Sequence, residues 1–191
     1  IIGLLEPPGR IAAGEIRLNG RRVDNLPYEQ MRRIRGREIG AIFQDPLTTL
    51  NPLYTVGEQL VETMQTHLDI PGAEARRRAV GWLEMVGIPA AAQRVDSYPH
   101  EFSGGMRQRV VIALALCAEP KLIVADEPTT ALDVSIQAQV IALLKRLSRE
   151  KGTSMMLITH DMGVIAETAD RVCVMYTGNS TVYDPGRVAM K

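Results

Sequence analysis

Several absences narrow the class of this chain before any motif is considered. No apolar run is long enough to cross a bilayer: the longest, Val110 to Ala118, is about half of the ~18–20 residues required. Any membrane role is therefore expected to be peripheral. Acidic and basic residues balance at 22 each, so net charge draws the chain neither to nucleic acid nor to an acidic surface. Aromatic residues make up only 4%, and none interleaves with the arginines from Arg32 to Arg37, which read as a solvated face rather than a base-stacking patch. Cysteine is limited to Cys117 and Cys173, in apolar segments without CxxC spacing, and buried reduced thiols in a cytosolic chain are expected. No charged leader with an apolar core opens the sequence, so no secretory signal is expected. The 191 residues fit one domain with a substantial core.

What is present concentrates between Phe102 and Asp133, in FSGGMRQRVVIALALCAEPKLIVADEPTTALD. Leu122 to Ala125 is a continuous apolar run too short for a helix, which reads as a central strand covered on both faces. Asp126 and Glu127 then stand at its carboxyl end, where open α/β sheets bind ligands. Phosphoryl transfer to water needs a carboxylate-held divalent cation and a group that orients the attacking water. An Asp-Glu pair offers both, Asp126 for Mg²⁺ and Glu127 for the water. Upstream, Ser103 is a good N-cap, and Gly104 and Gly105 let free backbone N–H groups approach an anion at the positive end of a helix. Arg107 and Arg109 strengthen that end, although solvated arginines would look the same.

FSGGMRQR resembles the signature loop of ATP-binding cassette (ABC) ATPases, LIVADEP their Walker B strand, and ALD at Ala131 to Asp133 their D-loop. Two further strand ends fit the likeness. Glu38 to Phe43 runs into Gln44 in FQDP, which resembles the Q-loop, and His160 after MMLIT resembles the switch histidine. The resemblance implies a P-loop NTPase-type (RecA-like) α/β sheet with helices on both faces and an inserted helical subdomain. It implies ATP and Mg²⁺ as cofactors, with Gln44, Glu127 and His160 as the catalytic set and Asp126 and Gln44 beside the metal. It also implies that Gln44, Ser103, Gly104, Gly105, Gln108, Asp126, Asp133 and His160 surround the nucleotide.

Asp45 to Val56, DPLTTLNPLYTV, resembles the form this loop takes in subunits that drive uptake of dipeptides, oligopeptides, glutathione or nickel. That likeness implies a surface receiving a coupling helix from an integral membrane permease, and indirectly a solute-binding protein. The family pairs two identical or homologous ATPase domains head to tail, at the cytoplasmic face of the membrane, with no nucleic acid partner. A soluble cassette ATPase acting on nucleic acid or ribosomes shares most of these motifs and stays open as an alternative.

The remaining expectations concern organisation. Ile1 to Leu5 read as the tail of an apolar helix, Gly14 to Asn19 as a strand closed by Asn19-Gly20, and Pro27 to Arg33 as a short helix. Residues 1–56 form a partial β subdomain with the Q-loop, 57–102 the helical subdomain, 103–176 the signature helix and catalytic core, and 177–191 a stretch where the likeness fades. Ser135 to Glu150 predicts an amphipathic helix, Met155 to Thr159 a buried strand and Arg171 to Tyr176 a further strand. No segment matches G-x-x-x-x-G-K-[ST], since none of the lysines follows a glycine. The expectation is a fragment of a protein that carries its P-loop upstream, with open sheet edges and weak nucleotide affinity in this stretch alone.

Overall fold

A computed structural model of the protein describes residues 1–5, 8–129, 132–176 and 179–183. Strands Arg17–Leu18 (β1) and Arg21–Arg22 (β2) form an antiparallel hairpin. Asn19 and Gly20 between them have φ of 49° and 79°, the two left-handed positions that a two-residue I′ turn needs. Helix Tyr28–Ile34 (α1) then buries Met31 and Ile34. The helix tail expected at Ile1 to Leu5 does not form. Arg35 instead takes two of their carbonyls, from Nε to Ile2 at 2.8 Å and from Nη2 to Gly3 at 2.7 Å.

Strand Ile39–Ile42 (β3) leads to a single helical turn, Pro46–Thr49 (α2), and then to a largely helical segment. Helix Val56–His67 (α3) starts on a capping box, Glu58 N–H donating to Thr55 Oγ1 and Thr55 N–H to Glu58 Oε2. Gly72–Met85 (α4), the short Ala91–Arg94 (α5) and a 3₁₀ turn at Pro99–Glu101 follow. Helix Gly104–Leu116 (α6) is the central helix of the core and is capped by Ser103. Strand Leu122–Asp126 (β4) and helix Val134–Lys151 (α7) come next, the helix closing on Gly152 at φ 63°. Ser154–Ile158 (β5), Met162–Thr168 (α8) and the antiparallel pair Val172–Tyr176 (β6) and Asn179–Tyr183 (β7) complete the described chain.

The sheet that organises these elements is parallel, in the order β3-β4-β5. β4 is central, as its apolar run predicts, and each face meets a different core. Ile123 and Ala125 join a large cluster with Leu60, Met64, Leu83, Ile112, Leu144 and others from α3, α4, α6 and α7. Leu122 and Val124 pack against a smaller one formed by Val23, Met31, Ile34 and Ile39. Each fully buried leucine contributes about 1.5–3 kcal/mol of transfer free energy. Gly40 of β3 is required by this packing: a Cβ there would lie 2.3 Å from the Ala115 carbonyl oxygen of α6.

Two expectations fail at the same place. β5 is not a buried strand: Met155 and Leu157 pack on the large core, but Met156 and Ile158 on the other face are each 41% exposed. Cys173 is exposed rather than buried. Both follow from position. β5 ends the three-stranded sheet, β6 pairs only with β7 among the described residues, and α8 buries none of its residues. Cys117 is buried as expected, where burial pushes its thiol up to about 12.

Candidate functional site

Strand register builds the site. Ile42 pairs with Ala125, so Gln44 and Glu127, each two residues further on, leave the sheet side by side. Asp126 pairs with Ile158, which brings His160 one rung beyond Glu127 on its other flank. Gln44 Nε2 donates to Glu127 Oε2 at 3.1 Å, and His160 Nδ1 lies 3.0 Å from Glu127 Oε1. With the carboxylate as acceptor, the imidazole carries its proton on Nδ1 and leaves Nε2 for another partner. The His160 side chain is 80% exposed against 28% for Glu127, so the site opens to solvent on the histidine side.

Glu127 reaches this position at a conformational cost. Its φ is 44°, in the left-handed region, and its N–H donates to the Ile158 carbonyl at 3.0 Å. A non-glycine residue held there stores roughly 1–3 kcal/mol, a kind of strain that concentrates at functional sites. The strand sequence alone gives no sign of it. The bend aims the carboxylate between the two neighbouring strand ends instead of along its own strand.

Asp126 is exposed at the same sheet end. No group of three or more His, Cys, Asp or Glu side chains capable of holding a metal occurs among the described residues. Mg²⁺ needs only one or two protein oxygens, because phosphate oxygens and waters complete its octahedron, and Asp126 and Gln44 both stand at this end of the sheet. Asp126 and Gln44 fit that pattern.

The start of α6 is built on a cap of its own. Ser103 Oγ accepts from Met106 N–H at 3.4 Å. The two glycines differ in kind. A Cβ on Gly104 would meet nothing within 4 Å, whereas one on Gly105 would lie 2.9 Å from Ile136 Cγ2 of α7. Gly104 therefore leaves open space above the helix end, and Gly105 permits close packing of two helices. Gln108 is 1% exposed, with Nε2 unpartnered among the described residues. Asp133 is the exposed N-cap residue of α7, and Ala131 lies outside the described residues.

The arginines are not the solvated groups they resemble in sequence. Arg107 donates to the Phe102 carbonyl, and Arg109 to the Val86 carbonyl and to Gln139. Sequence reasoning also passes over Gln59, which is 8% exposed and winds the loop after α2 around itself. Its Oε1 accepts from Asn51 N–H, and its Nε2 donates to the carbonyls of Asn51 and Tyr54. A cavity of about 410 Å³ opens beside this loop, lined by Thr49, Asn51, Tyr54, Gln59 and Glu62 among others. A glutamine four residues past the Thr55 N-cap, beside Leu60, was the available signal. No helix of the described residues is long and apolar enough to cross a membrane.

Parallel strand ends around one carboxylate, with a glycine-started helix elsewhere on the surface, define an α/β fold of the nucleotide-binding kind. Residues 1–130 match the model of the ABC transporter family, and the chain belongs to that family. It is 56% identical over 172 residues to the oligopeptide transport ATP-binding protein OppD of Bacillus subtilis, covering 90% of this chain and 48% of that protein. It is 50% identical over 187 residues to OppD of Salmonella typhimurium, covering 98% and 56%. The chain thus spans about half the length of the curated relatives it matches. Among solved structures, a dimeric post-hydrolysis state of the ATP-binding cassette MJ0796 bound to ADP and Pi superposes with a TM-score of 0.80 at 29% identity, covering 93% of this chain and 75% of that one. CbiO1 of Clostridium perfringens, part of the transporter complex cbiONQ, gives 0.80 at 28% identity, covering 98% and 70%.

Proposed function

We propose that the protein containing this chain hydrolyses ATP to energise import of peptides through a membrane permease. The observation that carries the reading is the Glu127 carboxylate, held on both oxygens by Gln44 and His160 across three strand ends. The names of the relatives, oligopeptide and dipeptide transport ATP-binding proteins, support peptides as the cargo class. Those same relatives leave the nucleic-acid or ribosome alternative without support.

In this reading Glu127 orients water for in-line attack on the terminal phosphate and accepts its proton. His160 keeps the carboxylate in line and offers Nε2 toward the phosphate. Gln44 reports whether that phosphate is present, because its amide can donate and accept at once. Mg²⁺, held by Asp126 with Gln44 nearby, supplies charge neutralisation for the phosphates when bound. Ser103 and Gly104 face outward at the α6 start and serve the nucleotide of a second, head-to-tail copy. The P-loop belongs to the part of the protein upstream of Ile1, and the 57–102 segment acts as the helical subdomain. The cavity beside the Gln59-wound loop receives the permease, and the protein works peripherally at the cytoplasmic face. Glu127→Gln in the full-length protein tests the assignment. Turnover should fall about 10²- to 10⁴-fold while ATP-dependent pairing persists. Normal hydrolysis in that variant would show that another group handles the water.

A further inference from the structure

Three cationic side chains converge on the end of α4. Arg109 of α6 donates from Nη1 to the Val86 carbonyl at 2.8 Å, and Arg146 of α7 donates from Nη2 to the Met85 carbonyl at 2.9 Å. Lys151 Nζ lies 5.0 Å from the centroid of the Trp82 ring. The last carbonyls of a helix lack intrahelical donors and carry partial negative charge, so the two arginines satisfy groups that the helix cannot. Arg109 also reaches a third helix, donating from Nη2 to Gln139 Oε1 of α7 at 2.9 Å. Gly87, at φ 78°, makes room for it: a Cβ there would sit 2.8 Å from Arg109 Nη1.

α7 starts at Val134, seven residues past Glu127, and its first turns touch both the segment after Glu127 and helix α6. Gln137 Nε2 donates to the Thr129 carbonyl at 3.1 Å, two residues beyond Glu127. Ile136 occupies the space that a side chain on Gly105 would need. Gln139 holds Arg109. A displacement of the Glu127 turn therefore moves α7, and α7 moves the helix whose start carries Ser103 and Gly104.

We propose that Arg109 and Gln139 are positioning residues for ATP hydrolysis. Together they set the angle of α6 against α7, and so couple the water-orienting site of one copy to the surface it presents to its partner's nucleotide. The proposal rests on the function argued above. A guanidinium can hold two acceptors in fixed directions, whereas a lysine ammonium keeps the charge but not the fork. Gln139 is exposed, so its replacement opens no core.

The test uses the full-length ATPase assembled with its permease, as wild type, Arg109→Lys, Gln139→Leu, the double variant, and Gln139→Glu, which keeps an acceptor for Arg109. Arg109→Lys and Gln139→Leu should each lower kcat about fivefold or more, and the double variant should be no worse than the more severe single, as expected of groups acting as a unit. Gln139→Glu should restore kcat. Nucleotide affinity of the unassembled subunit should stay within about twofold of wild type, since the affected contact forms only on pairing. Wild-type kcat in Gln139→Leu, multiplying losses in the double variant, or a matching loss of nucleotide affinity would each overturn the proposal. Absence of turnover in the wild-type assembly would overturn the ATPase reading as well, which separates the two failures.

Discussion

Glycine at position 127 should make this chain more stable than alanine does, the reverse of the usual order at a strand end. Glu127 sits at φ 44°, and both replacements remove its contacts to Gln44 and His160, so their difference isolates the backbone. A left-handed conformation costs a residue with a Cβ about 1–2 kcal/mol, which alanine retains and glycine escapes. Glycine gives back roughly 0.5–1 kcal/mol through the greater freedom of its unfolded chain. The balance favours Glu127→Gly over Glu127→Ala by about 0.5–1 kcal/mol. At 191 residues that corresponds to about 1–4 °C in Tm. Urea unfolding of the two variants, compared by midpoint at matched slope, measures the difference. Alanine equal to or more stable than glycine would show that the turn does not hold residue 127 left-handed, and the aiming of the carboxylate would need another cause.

The other predictions concern different parts of the molecule. Gln59→Leu should cost about 0.5–1.5 kcal/mol in urea unfolding, because it removes the hydrogen bonds to the Asn51 N–H and to the carbonyls of Asn51 and Tyr54, in a loop that water can reach. Leu83→Ala, at a side chain with no exposed surface, should cost about 2–5 kcal/mol by the same assay. Burial raises the Cys117 thiol from its usual 9.0 to about 12, so the unfolded chain loses its proton first as pH rises. Stability contributed by the neutral buried thiol is complete below pH 9 and falls between pH 9 and 12 by up to about 1.4 kcal/mol per pH unit. Cys117→Ala should remove that part of the alkaline slope. In native protein at pH 8 a thiol reagent should modify the exposed Cys173 and leave Cys117 unreacted until the chain is unfolded.

The parts legible in the sequence share one property: their signal is local. An apolar run followed by a polar residue marks β3 before Gln44, β4 before Asp126 and β5 before His160, and parallel pairing then brings the strand ends together. Caps and turns at Asn19-Gly20, Ser103 and Gly152 are equally local, and the structure has each of them. What sequence reasoning missed depends on neighbours distant in the chain. Met156, Ile158 and Cys173 look like core residues in composition, but whether a strand face is covered depends on which elements lie over it. Arg109 looks solvated until Val86 and Gln139, 23 and 30 residues away, supply its acceptors. The left-handed backbone at Glu127 goes with an N–H bond to Ile158 on the adjacent strand, which no window around DEP records.

The outer side of β5 governs how this stretch of polypeptide behaves in a tube. Its five residues present backbone donors and acceptors on a flank that no other described strand occupies, next to the oily side chains of Met156 and Ile158. Such a row zips up with stray chains as readily as with its proper neighbour. Clumping should therefore climb steeply with protein concentration, and a short extended peptide that docks along the row should keep the material dispersed.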